Sequence, residues 1–140
     1  MIILDTNVVS EPMKPSGNAA VQSWLDQQAA ETLYLTTTSL SELLSGIEFL
    51  PAGKRKDGLA TALNRLLERL FGPRILSFDV KAATIYAPLV GRAKAGGCIL
   101  AVADAQIAAI AAAHGFAVAT RDTAPFLAAG VTVINPWTAS

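Results

Sequence analysis

The chain has 140 residues, 52% of them apolar and 16% charged, with eleven basic and eleven acidic side chains. That length suits one domain with a sizeable core, and that composition excludes intrinsic disorder. No run reaches the 18 apolar residues of a membrane span, because Cys98–Ala119 is interrupted by Asp104, Gln106 and His114. The charge balances in total but not along the chain. Residues 54–94 hold nine of the eleven basic side chains against three acids, leaving Lys14 and Arg121 among eight acids elsewhere. A basic middle beside an acidic remainder suits a metal-dependent enzyme acting on a polyanion, and equally a solvated helix face.

In chain order, Ile2–Leu4 is an apolar strand stopped by Asp5-Thr6-Asn7, which reads as a turn. The immediate acid also argues against a signal peptide. Asn18–Ala29 is an amphipathic helix through Ala20, Val21, Trp24 and Leu25. Leu33–Thr36 is a strand, and Ser39–Leu50 a helix with Leu40, Leu43, Leu44 and Ile47 on one face, broken by Pro51-Ala52-Gly53. Leu59–Phe71 repeats the helical pattern to Gly72-Pro73. Ile75–Phe78 is a strand, after which Asp79 caps a helix to Ala95. Past Gly96-Gly97, Ala101–Ala113 is a helix closed by His114-Gly115. Ala117–Thr120 and Val131–Ile134 are strands around a helical turn at Ala124–Ala129. Strands alternating with helices predict an α/β fold, a central parallel sheet flanked by helices on both faces, in a single domain over residues 1–140. A lone cysteine, Cys98, excludes an internal disulfide and points to a reducing, cytoplasmic setting.

Four carboxylates stand out by position. Ligands of such folds bind beyond the carboxyl ends of the strands. Asp5 follows the first strand, Glu42 lies a few residues past the second, and Asp122 follows Ala117–Thr120. Asp104 starts a strongly apolar helix, a costly place for a charge without a task. Each acid also has a structural reading. Asp5 and Asp122 could cap turns, Ser39 and Glu42 fit a capping box, and Asp104 complements a helix dipole. As a set they point elsewhere. Carboxylates sharing a cleft repel one another unless a cation intervenes, and hard oxygen donors select Mg²⁺ or Mn²⁺. One histidine and one cysteine make a structural zinc site improbable. His114 reads as a helix C-terminal residue, Cys98 as a small buried apolar residue, and Trp24 and Trp137 as core or interface.

The residues also resemble a known family. Leu4-Asp5-Thr6-Asn7-Val8-Val9-Ser10-Glu11-Pro12 is similar to the opening of a PIN-domain nuclease. Ser39-Leu40-Ser41-Glu42-Leu43-Leu44-Ser45-Gly46-Ile47, Asp104-Ala105-Gln106-Ile107-Ala108-Ala109 and Ala117-Val118-Ala119-Thr120-Arg121-Asp122-Thr123 resemble its later acidic segments. Val133-Ile134-Asn135-Pro136-Trp137 resembles the ending of the FitB-like branch of the VapC toxins. No one segment is specific, but four in order and with compatible spacing are.

The resemblance implies a PIN-like fold and the endoribonuclease toxin of a type II toxin–antitoxin pair, cutting RNA to a 5′-phosphate and a 3′-hydroxyl. It implies a homodimer and a small DNA-binding antitoxin that blocks the site and carries the toxin to operator DNA. Asp5, Glu42, Asp104 and Asp122 carry over as metal ligands, with Thr6 and Thr120 as supporting hydroxyls. The additional acid that some members carry after the third segment is absent from Ile107–Ala113, so a second metal position does not carry over. Two other readings compete. A Mg²⁺ phosphatase using Asp5 as nucleophile lacks its usual partner acid, since position 7 is Asn. A non-catalytic DNA- or partner-binding module has no need of all four acids.

Overall fold

A computed structural model of the chain describes residues 1–139, so Ser140 of the expected domain lies outside the described residues. Five short strands form one parallel sheet: β1 Ile2–Leu4, β2 Leu33–Thr36, β3 Ile75–Leu76, β4 Ala117–Ala119 and β5 Val133–Ile134. Their order is β3-β2-β1-β4-β5. The chain begins at the central strand, builds outward through β2 and β3, then returns to the other side of β1 for β4 and β5. The reversal falls between β1 and β4, where Ile2, Ile3 and Leu4 pair with Ala117, Val118 and Ala119. That switch point opens a crevice at the carboxyl ends of the two strands.

The helices are α1 Thr6–Ser10, α2 Ala19–Asp26, α3 Thr37–Glu48, α4 Lys54–Leu66, α5 Val80–Ala95, α6 Val102–His114 and α7 Thr123–Ala128. They cover both faces because strand side chains alternate. Ile3 and Val118 enter one core with Leu89, Ile107, Ile110 and Phe126 from α5, α6 and α7. Leu4, Leu33, Leu35 and Ala119 enter the other with Val8, Val21, Leu43 and Leu63 from α1 to α4. Buried Ala105, Ala108, Ala109 and Ala111 let α6 pack closely against its neighbours, which explains the alanine-rich composition.

Several boundaries differ from those expected. Thr6–Ser10 is a helix, not a turn; Asp5 caps it by accepting from Thr6 N at 2.8 Å. The helix expected at Ser39 begins at Thr37, because Thr36 Oγ1 accepts from Ser39 N at 3.1 Å. Helix α4 starts at Lys54, five residues before its apolar pattern does, and runs into a π-helical turn at Leu67–Phe71. The strands expected at Ile75–Phe78 and Val131–Ile134 are shorter, since only two residues of each find ladder partners.

Gly115 ends α6 in the left-handed region at φ +69°, with open space where a side chain would go. Gly115→Ala is expected to cost about 1 kcal/mol through backbone conformation alone. A downward shift of the urea midpoint with an unchanged slope checks this.

Candidate active site

The switch point gathers side chains from four elements. Asp5 ends β1, and its backbone N donates to Ala119 O of β4 at 2.9 Å, which locks the two strand ends together. The residue is 6% exposed. Thr6 N donates to Oδ1 and Thr120 Oγ1 donates to Oδ2, both at 2.8 Å. Thr120 is a hub. Besides donating to Asp5, its hydroxyl accepts from Asp122 N at 3.0 Å and from Asn7 Nδ2 at 3.4 Å. Asn7 Oδ1 in turn accepts from Arg121 N at 3.3 Å. The loops after β1 and β4 are therefore stitched by side chains more than a hundred residues apart in sequence.

Glu42 is not part of a capping box. It lies one turn into α3, exposed, and Oε1 accepts from Thr6 Oγ1 at 2.9 Å, so the bond runs to the first loop instead of back to its own helix start. The buried hydroxyl of Ser39, expected to cap, has no hydrogen-bond partner. Asp104 occupies the first turn of α6, half-buried, with no side-chain cap on that helix. Thr38 Oγ1 donates to Gln106 Oε1 at 3.0 Å and ties the helix of Glu42 to that of Asp104. Asp122 holds the N-cap position of α7, yet its side chain accepts no bond from the helix and stays exposed. Of the structural roles available to these acids, Asp5 performs its capping role with one oxygen and Asp104 sits where it complements the dipole of α6, while Glu42 and Asp122 do not perform theirs.

The four carboxylates share one field. Burial pushes the Asp5 carboxyl above its ordinary range; the bonds from Thr120 and Thr6 pull it down, and the charges of Glu42 and Asp122 push it further up. Burial also raises Asp104, followed by the charges of Asp5, Asp122 and Glu42. Among the described residues, no three acids, histidines or cysteines converge into a ready-made metal cage. The donor set nonetheless fits a hard, hydrated cation. Mg²⁺ keeps several waters and needs only one or two carboxylates directly, and Asp5 and Asp104 are raised first by burial and then by neighbouring carboxylates, both of which a cation would offset.

Nearby groups have other tasks. Glu11, 8% exposed, accepts from Asn18 N at 3.1 Å and pairs with Lys14 at 3.1 Å; the Lys14 bond holds its carboxyl below the usual range. It was not among the expected site residues. Beside Glu42 runs an open groove of about 590 Å³, with Leu43, Ile47 and Leu59 on its wall and Lys54 and Arg55 among its lining. Lys56 instead donates to Glu48 O at 3.0 Å. His114 is exposed at the end of α6 with its ring 5.3 Å from that of Phe116, and Cys98 packs half-buried against the first core.

A model of the PIN domain matches residues 2–130. The chain belongs to the PIN-domain family. It is 53% identical to the plasmid stability protein StbB of Pseudomonas syringae pv. tomato over 99% of this chain and 100% of the relative. It is 47% identical to the VapC ribonuclease Y4jK of Sinorhizobium fredii over 98% of each. It is also 47% identical to the toxin FitB of Neisseria gonorrhoeae, over 98% of this chain and 99% of that one. The solved structure of FitAB bound to the IR36 DNA fragment superimposes with a TM-score of 0.95 at 44% identity, covering 100% of this chain and 98% of that one. The PIN fold expected from the resemblance, with its parallel sheet between two helical layers, is the fold found. No helix among the described residues is long and apolar enough to cross a membrane.

Proposed function

We propose that this PIN domain is a Mg²⁺- or Mn²⁺-dependent endoribonuclease and the toxin of a toxin–antitoxin pair. The observation that carries the proposal is the cluster Asp5, Glu42, Asp104 and Asp122 at the sheet's switch point, with Asp5 and Asp104 raised by burial and by the charges of the others. Relatives named as a VapC ribonuclease and as a toxin, both at 47% identity and nearly full coverage, support it. The FitAB–DNA complex supports a small DNA-binding antitoxin as partner, and operator DNA reached through it. We extend the proposal to a homodimer.

Asp5, Asp104 and Asp122 would hold the cation, partly through water, with Glu42 at the rim. When bound, such a cation supplies charge stabilisation at the phosphoryl oxygens and a water that ionises near neutral pH. The chain's own groups do the positioning. Thr120 and Thr6 N each hold one oxygen of Asp5, so its carboxylate is fixed in one orientation before any ligand arrives. Glu42, oriented by Thr6 Oγ1, accepts a proton from the attacking water. Attack on phosphorus in line with the leaving 3′-oxygen, which takes a proton from solvent as the P–O bond breaks, then gives a 5′-phosphate and a 3′-hydroxyl, with no covalent intermediate on the protein.

The purified protein, freed of its antitoxin, is expected to cleave single-stranded RNA with Mg²⁺ or Mn²⁺ and to stop on addition of EDTA. Electrophoresis of end-labelled RNA checks this. Cleavage that persists in EDTA overturns the metal-dependent reading. A phospho-aspartate trapped at position 5 replaces it with the phosphatase reading, and a partner complex that binds DNA without ever cutting RNA replaces it with the binding-module reading.

A further inference from the structure

RNA approaching this site meets four carboxylates, so something other than the cation must attract the phosphate backbone. Lys54 and Arg55 line the groove beside Glu42; outside residues 54–94 the chain offers two further basic side chains, Lys14 and Arg121. Lys14 is engaged at 3.1 Å by Glu11. Arg121 is exposed and makes no ion pair among the described residues, although its charge reaches Glu11 and helps to hold that carboxyl down. In the chain it stands between Thr120, whose hydroxyl holds Asp5, and Asp122, and Asn7 Oδ1 accepts from its backbone N. Its guanidinium carbon rests 5.3 Å from the centre of the Trp137 ring.

Trp137 is itself fixed. Its N donates to Asn135 Oδ1 at 3.0 Å, and its half-buried ring packs against the core beneath β1 and β2. A guanidinium lying on an anchored indole keeps its orientation, and its planar N–H fork stays available for two-pronged contact with a phosphate. The expectation that Trp137 serves core or interface therefore covers only half of its surroundings.

We infer that Arg121, seated on Trp137 in the loop that carries Thr120 and Asp122, is a phosphate-binding residue that holds the RNA backbone near the scissile bond. This rests on the ribonuclease reading above. The contact is made in the ground state as well as during cleavage, so its loss raises KM and leaves kcat nearly alone. It also removes one phosphate–cation pair from the binding equilibrium.

The test is steady-state cleavage of a short labelled single-stranded RNA in Mg²⁺ from 50 to 200 mM NaCl, for the wild-type protein and the R121A, R121K and W137L variants. Expected for R121A is a KM about ten times higher, kcat within about twofold, and a log–log salt dependence of kcat/KM shallower by roughly 0.7 to 1. R121K keeps the wild-type salt slope because the charge remains, but regains only part of the KM because an ammonium lacks the planar fork. W137L raises KM with the salt slope unchanged, since the cation persists without its seat. A merely structural role for Arg121 would lower the melting temperature and leave the salt slope where it was; that result, or an unaltered KM in R121A, overturns the inference while the ribonuclease reading stands. A wild-type protein that cuts no RNA overturns both.

Discussion

Asp5→Asn is expected to abolish RNA cleavage in a protein that still folds. The loss should exceed the roughly 10–100-fold that removing an outer partner of a metal ligand costs, because here a ligand itself changes. The fold survives because the backbone of Asp5, not its charge, bonds Ala119 O, and an amide oxygen can still accept from Thr6 N. The same variant separates charge from shape through pH. The Asp5 carboxyl is raised above its ordinary value in the folded protein, chiefly by burial. A folded state with the higher pKa binds more protons than the unfolded one, so this group's contribution to stability is complete below the unfolded value and is lost as pH rises through the folded value. In Asn this dependence vanishes. The melting temperature of Asp5→Asn minus that of the wild-type protein, both without metal, should therefore climb as pH rises from 4 and level off above the folded pKa of Asp5. Asp104 reinforces the trend, since losing the Asp5 charge removes one of the causes that raise it. Calorimetry in EDTA across this range checks it, and a flat difference would mean that Asp5 carries no unfavourable charge in the folded state. Adding Mg²⁺ at neutral pH should raise the wild-type melting temperature and move the variant much less.

The division between what the residues disclosed and what they withheld follows the range of the interactions. The limits of β1 and β2, the Asp79 cap and the Gly115 stop are local: a short apolar run, an oxygen three residues before an amide, a residue free to adopt positive φ. Asp5, Glu42 and Asp122 stood out because the carboxyl ends of parallel strands are where such folds place ligands, and Asp104 because a charge starting an apolar helix is costly. Misplaced elements have local causes of another kind. Asp5-Thr6-Asn7 is turn chemistry, yet the same side-chain oxygen that makes a turn also caps a helix of five residues. Thr36 outcompeted Ser39 as cap because it ends a buried strand with its hydroxyl already facing the first turn. The start of α4 is Lys54-Arg55-Lys56-Asp57, which has no apolar period to reveal a helix. What no window of sequence could supply is the second layer of the site. Thr120 meets Asp5 across 115 positions, Thr6 meets Glu42 across 36, and Arg121 finds Trp137 only once β4 and β5 lie side by side. The resemblance supplied the two threonines as supporting hydroxyls; Asn7, which links Thr120 to Arg121, was read only as a missing acid.

Thr120→Val is expected to show how much that second layer matters. Valine has nearly the same shape and the position is fully buried, so packing is preserved. What disappears is one donor to Asp5 Oδ2 and the acceptor for the N–H of Asp122 and for Asn7 Nδ2. An unsatisfied buried polar group costs about 1–3 kcal/mol, so the melting temperature should drop by several degrees. The effect on chemistry has a separate origin. The Thr120 bond lowers the Asp5 carboxyl against the burial that raises it. Without it, Asp5 gives up its proton less readily to a cation, and the backbone N–H of Asp122 loses the acceptor that places the loop after β4. Cleavage should fall by about 10–100-fold, the scale of lost outer-shell support, with the Mg²⁺ concentration for half-maximal rate shifted upward. Raising the pH should recover part of the loss by ionising Asp5, which a purely mechanical defect would not allow. Thr120→Ser keeps the hydroxyl and loses only a methyl group, and should retain most of the wild-type rate and its metal requirement. If serine is as impaired as valine, the methyl packing and not the hydrogen bond is what Thr120 contributes, and the carboxylate cluster must be ordered by its strands alone.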